Sequence, residues 1–291
     1  MRVTAIGAKT QRKRLDRSAH RAEKRRCRAR MLRVHSMIRR APSVWATTDT
    51  AQGEKCLFNR QNQAILMTDG SPRGECRLRQ AECDPDGDDE MRNIDFWYSI
   101  GSTYSYLTVM RLPKLAQEYG VNVTWRPFNV RDVMVEQNNV PFSNKPIKSA
   151  YMWRDIERRA ARYGLCPQIP APYPLGGLVL ANQVAFLGVQ EGWVEAYTQA
   201  TYRRWFEEGL PAGEEPNISE SLEEIGQDVK RVLGLAASKA IASGLSEVTT
   251  EAKKLGVFGS PSFVVNGEVF WGDDRLEDAI KWSSNGTLCS D

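Results

Sequence analysis

The sequence predicts an α/β domain over the C-terminal two hundred residues of the 291-residue chain: a strand-helix-strand unit, a helical block, and a hairpin followed by a helix. Three observations predict it. Residues 94–100 form an aromatic and β-branched run that stops at Gly101, apolar residues recur at helical spacing through the middle, and Asn266-Gly267 separates two apolar runs near the end. A hydrophobic content of 41% is enough for such a domain to bury a core.

Residues 1–90 are expected to stand apart from it. They carry 20 Lys and Arg against 12 Asp and Glu, so the net charge of +4 averages a basic extension with a mildly acidic remainder. The first forty residues are arginine-rich without a sustained apolar face, and an acidic run from Asp84 to Glu90 precedes Met91. Such sequence buries too little apolar surface to offset the entropy of ordering, so disorder is expected. Met91 leads at once into a well-patterned strand, which makes it the expected native start and the preceding segment a tail or an upstream over-translation. No secretory apolar core is visible, Asp16 and Glu23 argue against a mitochondrial transit peptide, and no stretch approaches the roughly 18 apolar residues of a membrane span. A cytoplasmic protein without membrane or nucleic-acid partners is expected, since basic residues interleaved with aromatics are missing after Met91.

From there each element has its own signal. Ile94 to Ile100 reads as a buried strand. Residues 103–119 read as a helix with a stop at Gly120 and a kink at Pro113. Val121, Val123 and Trp125 alternate with polar residues, giving a second strand that ends at Pro127; a strand-helix-strand unit of this length implies a parallel pair. Ser149 to Tyr163 places Met152, Trp153, Ile156, Ala160 and Tyr163 on one helical face and Arg154, Arg158 and Arg162 on the other. That arginine stripe is interleaved with Asp155 and Glu157 and reads as a solvated face. A proline-dense loop, 167–174, precedes helices expected at 178–190, 193–208 and within 218–255. The chain finishes with strands 261–265 and 268–271 around the Asn266-Gly267 turn, then a helix at 274–282. This order is that of a thioredoxin-like fold over 91–130 and 250–291 with an all-helical domain, 131–249, inserted in its middle.

Residue types narrow the chemistry. Both histidines, His20 and His35, precede Met91, and of the cysteines only Cys166 and Cys289 follow it. With no CxxC pair there, neither a dithiol nor a metal site is expected, and histidine-based nucleophiles are excluded. Cys166 reads as a packed small residue. Five segments remain as candidates. Ser102 sits where the first helix begins, either as its N-cap or as a hydroxyl facing an anion; the tetrad 102–105 holds Ser102 and Ser105 where a redox enzyme of this fold carries cysteines. Ser260-Pro261 suits a cis bond whose preceding residue offers its backbone to an extended peptide, with an ordinary strand-edge proline as the alternative. Trp271-Gly272-Asp273-Asp274 forms a turn in which either carboxylate caps the last helix or pairs with an ammonium group. Asn144, Lys145 and more weakly Lys148 occupy a loop before the arginine-bearing helix, and Tyr173 lies in the proline-dense loop.

Taken together in this order, Ser102, the Asn144 loop, the Ser260-Pro261 pair and Phe270-Trp-Gly-Asp-Asp-Arg-Leu276 resemble the 2-hydroxychromene-2-carboxylate isomerase family, over about Met91 to Trp282. The resemblance implies glutathione as cofactor. It assigns Ser102 to the thiolate, Ser260 and Pro261 to the backbone of the tripeptide, Trp271 to Asp274 to its γ-glutamyl end, and Asn144, Lys145 and Tyr173 to a small aromatic carboxylate. It implies isomerisation of a hydroxychromene carboxylate to a benzylidenepyruvate by reversible thiolate addition, and a possible homodimer. Three positions depart from the family pattern: Thr103 stands where proline is common, Ser260 where valine is usual, and Met134 at a position frequently held by lysine. A kappa-class-like glutathione transferase and a non-catalytic glutathione- or peptide-binding module are the alternatives.

Overall fold

The computed structural model describes residues 92–288 apart from 140, 141 and 143, together with the backbone of two short strands, Cys56–Phe58 and Ala64–Leu66. Those two strands pair antiparallel within a unit of residues 1–88; residues 89–291 form a second compact unit. The rest of the segment 1–90, for which disorder is expected, lies outside the described residues.

In the second unit the sheet comprises β1 (Asn93–Tyr98), β2 (Asn122–Pro127), β3 (Ser262–Val265) and β4 (Glu268–Trp271), in the order β2-β1-β3-β4. The β1–β2 pair is parallel and the β1–β3 and β3–β4 pairs are antiparallel, as the strand-helix-strand and hairpin signals imply. Register places Phe96 opposite both Trp125 and Phe263, and the three rings meet at centroid distances of 5.1 and 5.5 Å. Cross-strand aromatic pairs of this kind fix the register as well as filling the core. The two-residue period of β1 then sends Ile94, Phe96 and Tyr98 into the large core and Trp97 into a second, smaller one. Buried on both faces, β1 is the middle layer of the unit.

The helix expected at 103–119 is two helices, α1 (Ser105–Val109) and α2 (Leu112–Tyr119). Pro113 has no N–H to give to the Val109 carbonyl, so the helix stops and restarts with the proline in its first turn. The segment after β2, for which no separate element is expected, contains α3 (Val130–Glu136), capped by the Asn129 side chain accepting from the Arg131 N–H at 3.2 Å. Its Val130 and Val133, with Met134 beside them, pack on Trp97 in the smaller core. The remaining helices are α4 (Pro146–Tyr163), α5 (Leu178–Glu191), α6 (Val194–Glu207), α7 (Asn217–Glu224), α8 (Val229–Ala236), α9 (Lys239–Lys254) and, after a 3-10 turn at Asp273–Arg275, α10 (Leu276–Asn285). Helices α3 to α9 all fall between β2 and β3, and several contribute to the same large core as the sheet: Ala185, Tyr202, Leu222 and Val232 join Phe96 there. No helix among the described residues is long and apolar enough to cross a membrane.

Candidate active site

The end of β1 is held from the helical side. Asn182 of α5, fully buried, accepts from the Ile100 N–H at 2.8 Å and donates to the Ile100 carbonyl at 2.9 Å. The Tyr202 hydroxyl of α6 donates to the Ser99 and Ser102 carbonyls at 3.0 and 3.2 Å. Between these clamps Gly101 adopts φ +127°, a conformation that side chains resist, and the Ser102 N–H turns back to the Ser99 carbonyl at 3.0 Å. Sequence reading missed both clamps. The signal for Asn182 was present, a lone polar residue on the buried stripe of an apolar helix.

Ser102 therefore does not cap a helix. Helix α1 begins at Ser105 with Tyr104 as its N-cap, whose side chain makes no capping bond to the helix. Among the described residues the N–H groups of Thr103 and Tyr104, beside Ser102, find no backbone acceptor. With only five residues in α1, the hydroxyl and these N–H groups matter more than any helix dipole. The Tyr104 hydroxyl donates to Asp155 at 3.1 Å, and burial together with that carboxylate raises its pKa, so it stays protonated at neutral pH.

The Ser260–Pro261 bond is cis, as expected. It lies directly against the turn: the half-buried Ser102 hydroxyl donates to the Ser260 carbonyl at 2.6 Å. The Ser260 hydroxyl accepts from the Ser99 N–H at 2.9 Å and shares a hydrogen bond of 2.9 Å with Ser105. A valine at position 260 could make neither bond, so the departure from the family pattern ties the proline loop to the helix start. The Pro261 carbonyl accepts from the Gly272 N–H at 2.9 Å, which places the Trp271–Asp274 turn next in line. Trp271, 54% exposed, packs beside Phe258 at 4.8 Å and covers Gly259, where a Cβ would stand 2.2 Å from the indole nitrogen.

The two aspartates part company. Asp273 is 1% exposed; its Oδ1 pairs with Arg111 at 3.0 Å and accepts from Thr108 at 3.2 Å, and its Oδ2 lies 2.5 Å from Arg159. Oδ2 has an ion partner but accepts no aligned hydrogen bond. Burial raises the Asp273 pKa, and Arg111 and Arg159 pull against it. Asp274 is exposed and faces Arg275 at 3.6 Å. Neither carboxylate caps the 3-10 turn or α10 through a side-chain bond, against the capping alternative.

Ser102, Ser260, Pro261, Gly272 and Asp273 thus form one connected strip. Asn144, at φ +56°, and Lys145, the N-cap residue of α4, are exposed; Lys145 joins Pro146, Ile147, Lys148 and Tyr151 around an open depression that no member of the strip lines. Tyr173 meets Phe142 and Trp153 edge-on at 6.3 and 6.1 Å, leaving 37% of the residue exposed. Arg154 and Arg158 pair with Glu157 and Asp155 along their own helix. Cys166 is exposed and disulfide-bonded, which corrects its reading as a packed residue. Among the described residues no cluster could hold a metal ion.

A parallel strand pair, an antiparallel hairpin, a cis-proline facing the first helix and helices between β2 and β3 define a thioredoxin-like protein. Residues 93–280 match the model of the DSBA-like thioredoxin domain, and the chain belongs to that family. It is 29% identical over 188 residues to the 2-hydroxychromene-2-carboxylate isomerase of Sphingobium xenophagum, covering 64% of this chain and 95% of that protein. Over 203 residues it is 25% identical to human glutathione S-transferase kappa 1, covering 64% of this chain and 88% of the transferase. A solved structure of 2-hydroxychromene-2-carboxylate isomerase superposes with a TM-score of 0.59 at 29% identity, covering 68% of this chain and 100% of that one. The chain is therefore similar to isomerases and to a transferase.

Proposed function

We propose that this protein is a glutathione-dependent isomerase acting on a small aromatic carboxylate of the 2-hydroxychromene-2-carboxylate type. The observation that carries the reading is the Ser102 hydroxyl, 2.6 Å from the carbonyl preceding cis-Pro261, in a tetrad without cysteine. The strip fits a tripeptide thiol: a hydroxyl and N–H groups without a backbone acceptor for a thiolate, the Ser260 backbone just before β3 for an extended peptide, and Asp274 for an ammonium group. The similarity to named isomerases supports the same reading.

When bound, glutathione would supply a thiolate able to add reversibly to a conjugated carbonyl compound. The protein's part is to hold that anion and its backbone. On binding, the Ser102 hydroxyl would turn from the Ser260 carbonyl to donate to the sulfur, leaving that carbonyl to accept from the cysteinyl amide, and Gly272 to Asp274 would receive the γ-glutamyl end. Lowering a thiol pKa by one unit corresponds to about 1.4 kcal/mol, within the range of one hydroxyl donor plus backbone N–H groups. Tyr173, Asn144 and Lys145 are assigned to the substrate. A second reading, a kappa-class-like transferase, is favoured by the similarity to the human enzyme. Incubating the purified protein with glutathione and 2-hydroxychromene-2-carboxylate, with absorbance and mass spectrometry as readouts, separates the two. Glutathione-dependent conversion to the benzylidenepyruvate without a lasting conjugate is the expected result. A stable glutathione conjugate would support the transferase, and no conversion without one would contradict both.

A further inference from the structure

The turn after β4 contains polar valences that internal contacts leave unspent. Arg111 is fully engaged: its three guanidinium nitrogens reach the Leu107 carbonyl, Glu277 and Asp273. Arg159 of α4 is not. Its Nη2 lies 2.5 Å from Asp273 Oδ2, off the line of a hydrogen bond, and reaches the Tyr163 hydroxyl only at 3.5 Å. Its side chain is 21% exposed, so it is reachable from solvent. It also interacts electrostatically with Asp274, the exposed carboxylate one residue on. The other cation of the turn, Arg275, is held by Asp278 at 2.8 Å and lies 3.6 Å from Asp274. One carboxylate and one partly spent guanidinium thus flank the same turn. An α-amino acid head group offers a carboxylate for the guanidinium and an ammonium for the carboxylate, and so matches both groups at once.

We infer that Arg159 is a binding residue for the α-carboxylate of the ligand's γ-glutamyl group, with Asp274 taking the α-ammonium. This rests on the glutathione reading above and adds to it the residue that selects a γ-glutamyl thiol over a thiol lacking that carboxylate. Burial of Asp273 beneath Arg159 keeps the guanidinium at the turn, and its planar fork suits a carboxylate.

The test is calorimetric titration of the full chain with glutathione, with γ-aminobutyryl-cysteinylglycine, which lacks the α-carboxylate, and with glutaryl-cysteinylglycine, which lacks the α-ammonium. The wild-type protein is expected to bind each analogue about tenfold more weakly than glutathione, the size of one charge-assisted contact. In Arg159→Gln, glutathione and the decarboxylated analogue should bind alike, while the loss for the glutaryl analogue persists; Arg159→Lys should recover part of the discrimination. A uniform weakening of all three ligands in Arg159→Gln would overturn the inference in favour of a structural role. So would discrimination that survives in Arg159→Gln but disappears in Arg275→Gln. Glutathione binding without any discrimination overturns this inference alone, whereas absence of glutathione binding overturns it together with the function proposed above.

Discussion

Asn182 uses its amide on the backbone of Ile100, with a further bond to the Leu178 carbonyl at 2.7 Å. Replacing it by leucine keeps the volume but leaves a buried N–H and C=O unpaired, so Asn182→Leu should cost about 2 to 3 kcal/mol of unfolding free energy, measured by urea denaturation. A loss below about 0.5 kcal/mol would show that the clamp is dispensable. Asp273→Asn should be costlier, about 3 to 5 kcal/mol, because it leaves two guanidinium groups facing a neutral amide. A stability unchanged by Asp273→Asn would mean that the two arginines find other partners. At this scale the sequence was uneven. Ser102, Ser260, Pro261 and Gly272 were legible because each lies at a turn or strand end with its own local signal. Arg111, Arg159 and Tyr202 were not, since their partners lie far along the chain and nothing in local spacing links them.

Elements were more legible, because periodicity and turn chemistry are local. The Asn266-Gly267 hairpin and the Leu178–Glu191 helix lie within a residue or two of expectation. Pro113 marked an interruption in the first helix, although spacing could not distinguish a kink from a restart, and α3 was hidden because it spans only seven residues after a proline. Packing between elements sets two expectations. Gly177, at the start of α5, approaches Gly213 so closely that a Cβ would stand 2.2 Å from the Gly213 carbonyl oxygen. Gly177→Ala must shift backbone and should cost about 1 to 3 kcal/mol in chemical denaturation; a neutral effect would mean that the contact yields easily. Helices α5 and α8 are joined by Glu191 and Arg231 at 2.7 and 2.8 Å. Hydrogen bonds from Arg231 and Trp193 lower the Glu191 pKa to about 2. A depressed folded-state pKa means that this contribution is complete above the unfolded carboxylate value and is lost as pH falls through about 2. The melting temperature of the native protein should therefore exceed that of Glu191→Gln by a small, constant margin above about pH 5 that closes on acidification. A margin that widens at low pH would contradict the pairing.

At the scale of the whole molecule, residues 89–291 hold the sheet, both hydrophobic cores and the candidate site. A chain of residues 91–291 is expected to unfold in one cooperative transition and to keep whatever ligand the full chain binds; failure to fold would give residues 1–90 a structural role. The central claim, that Ser102 holds a glutathione thiolate, is tested most directly by titrating the full chain and a Ser102→Ala variant with glutathione while recording the ultraviolet difference absorbance of the thiolate against pH. The native protein should show bound thiolate near neutral pH, and Ser102→Ala should need about one pH unit more to reach the same signal, or lose it. Identical thiolate curves for the two proteins, or no binding by either, would contradict the assignment.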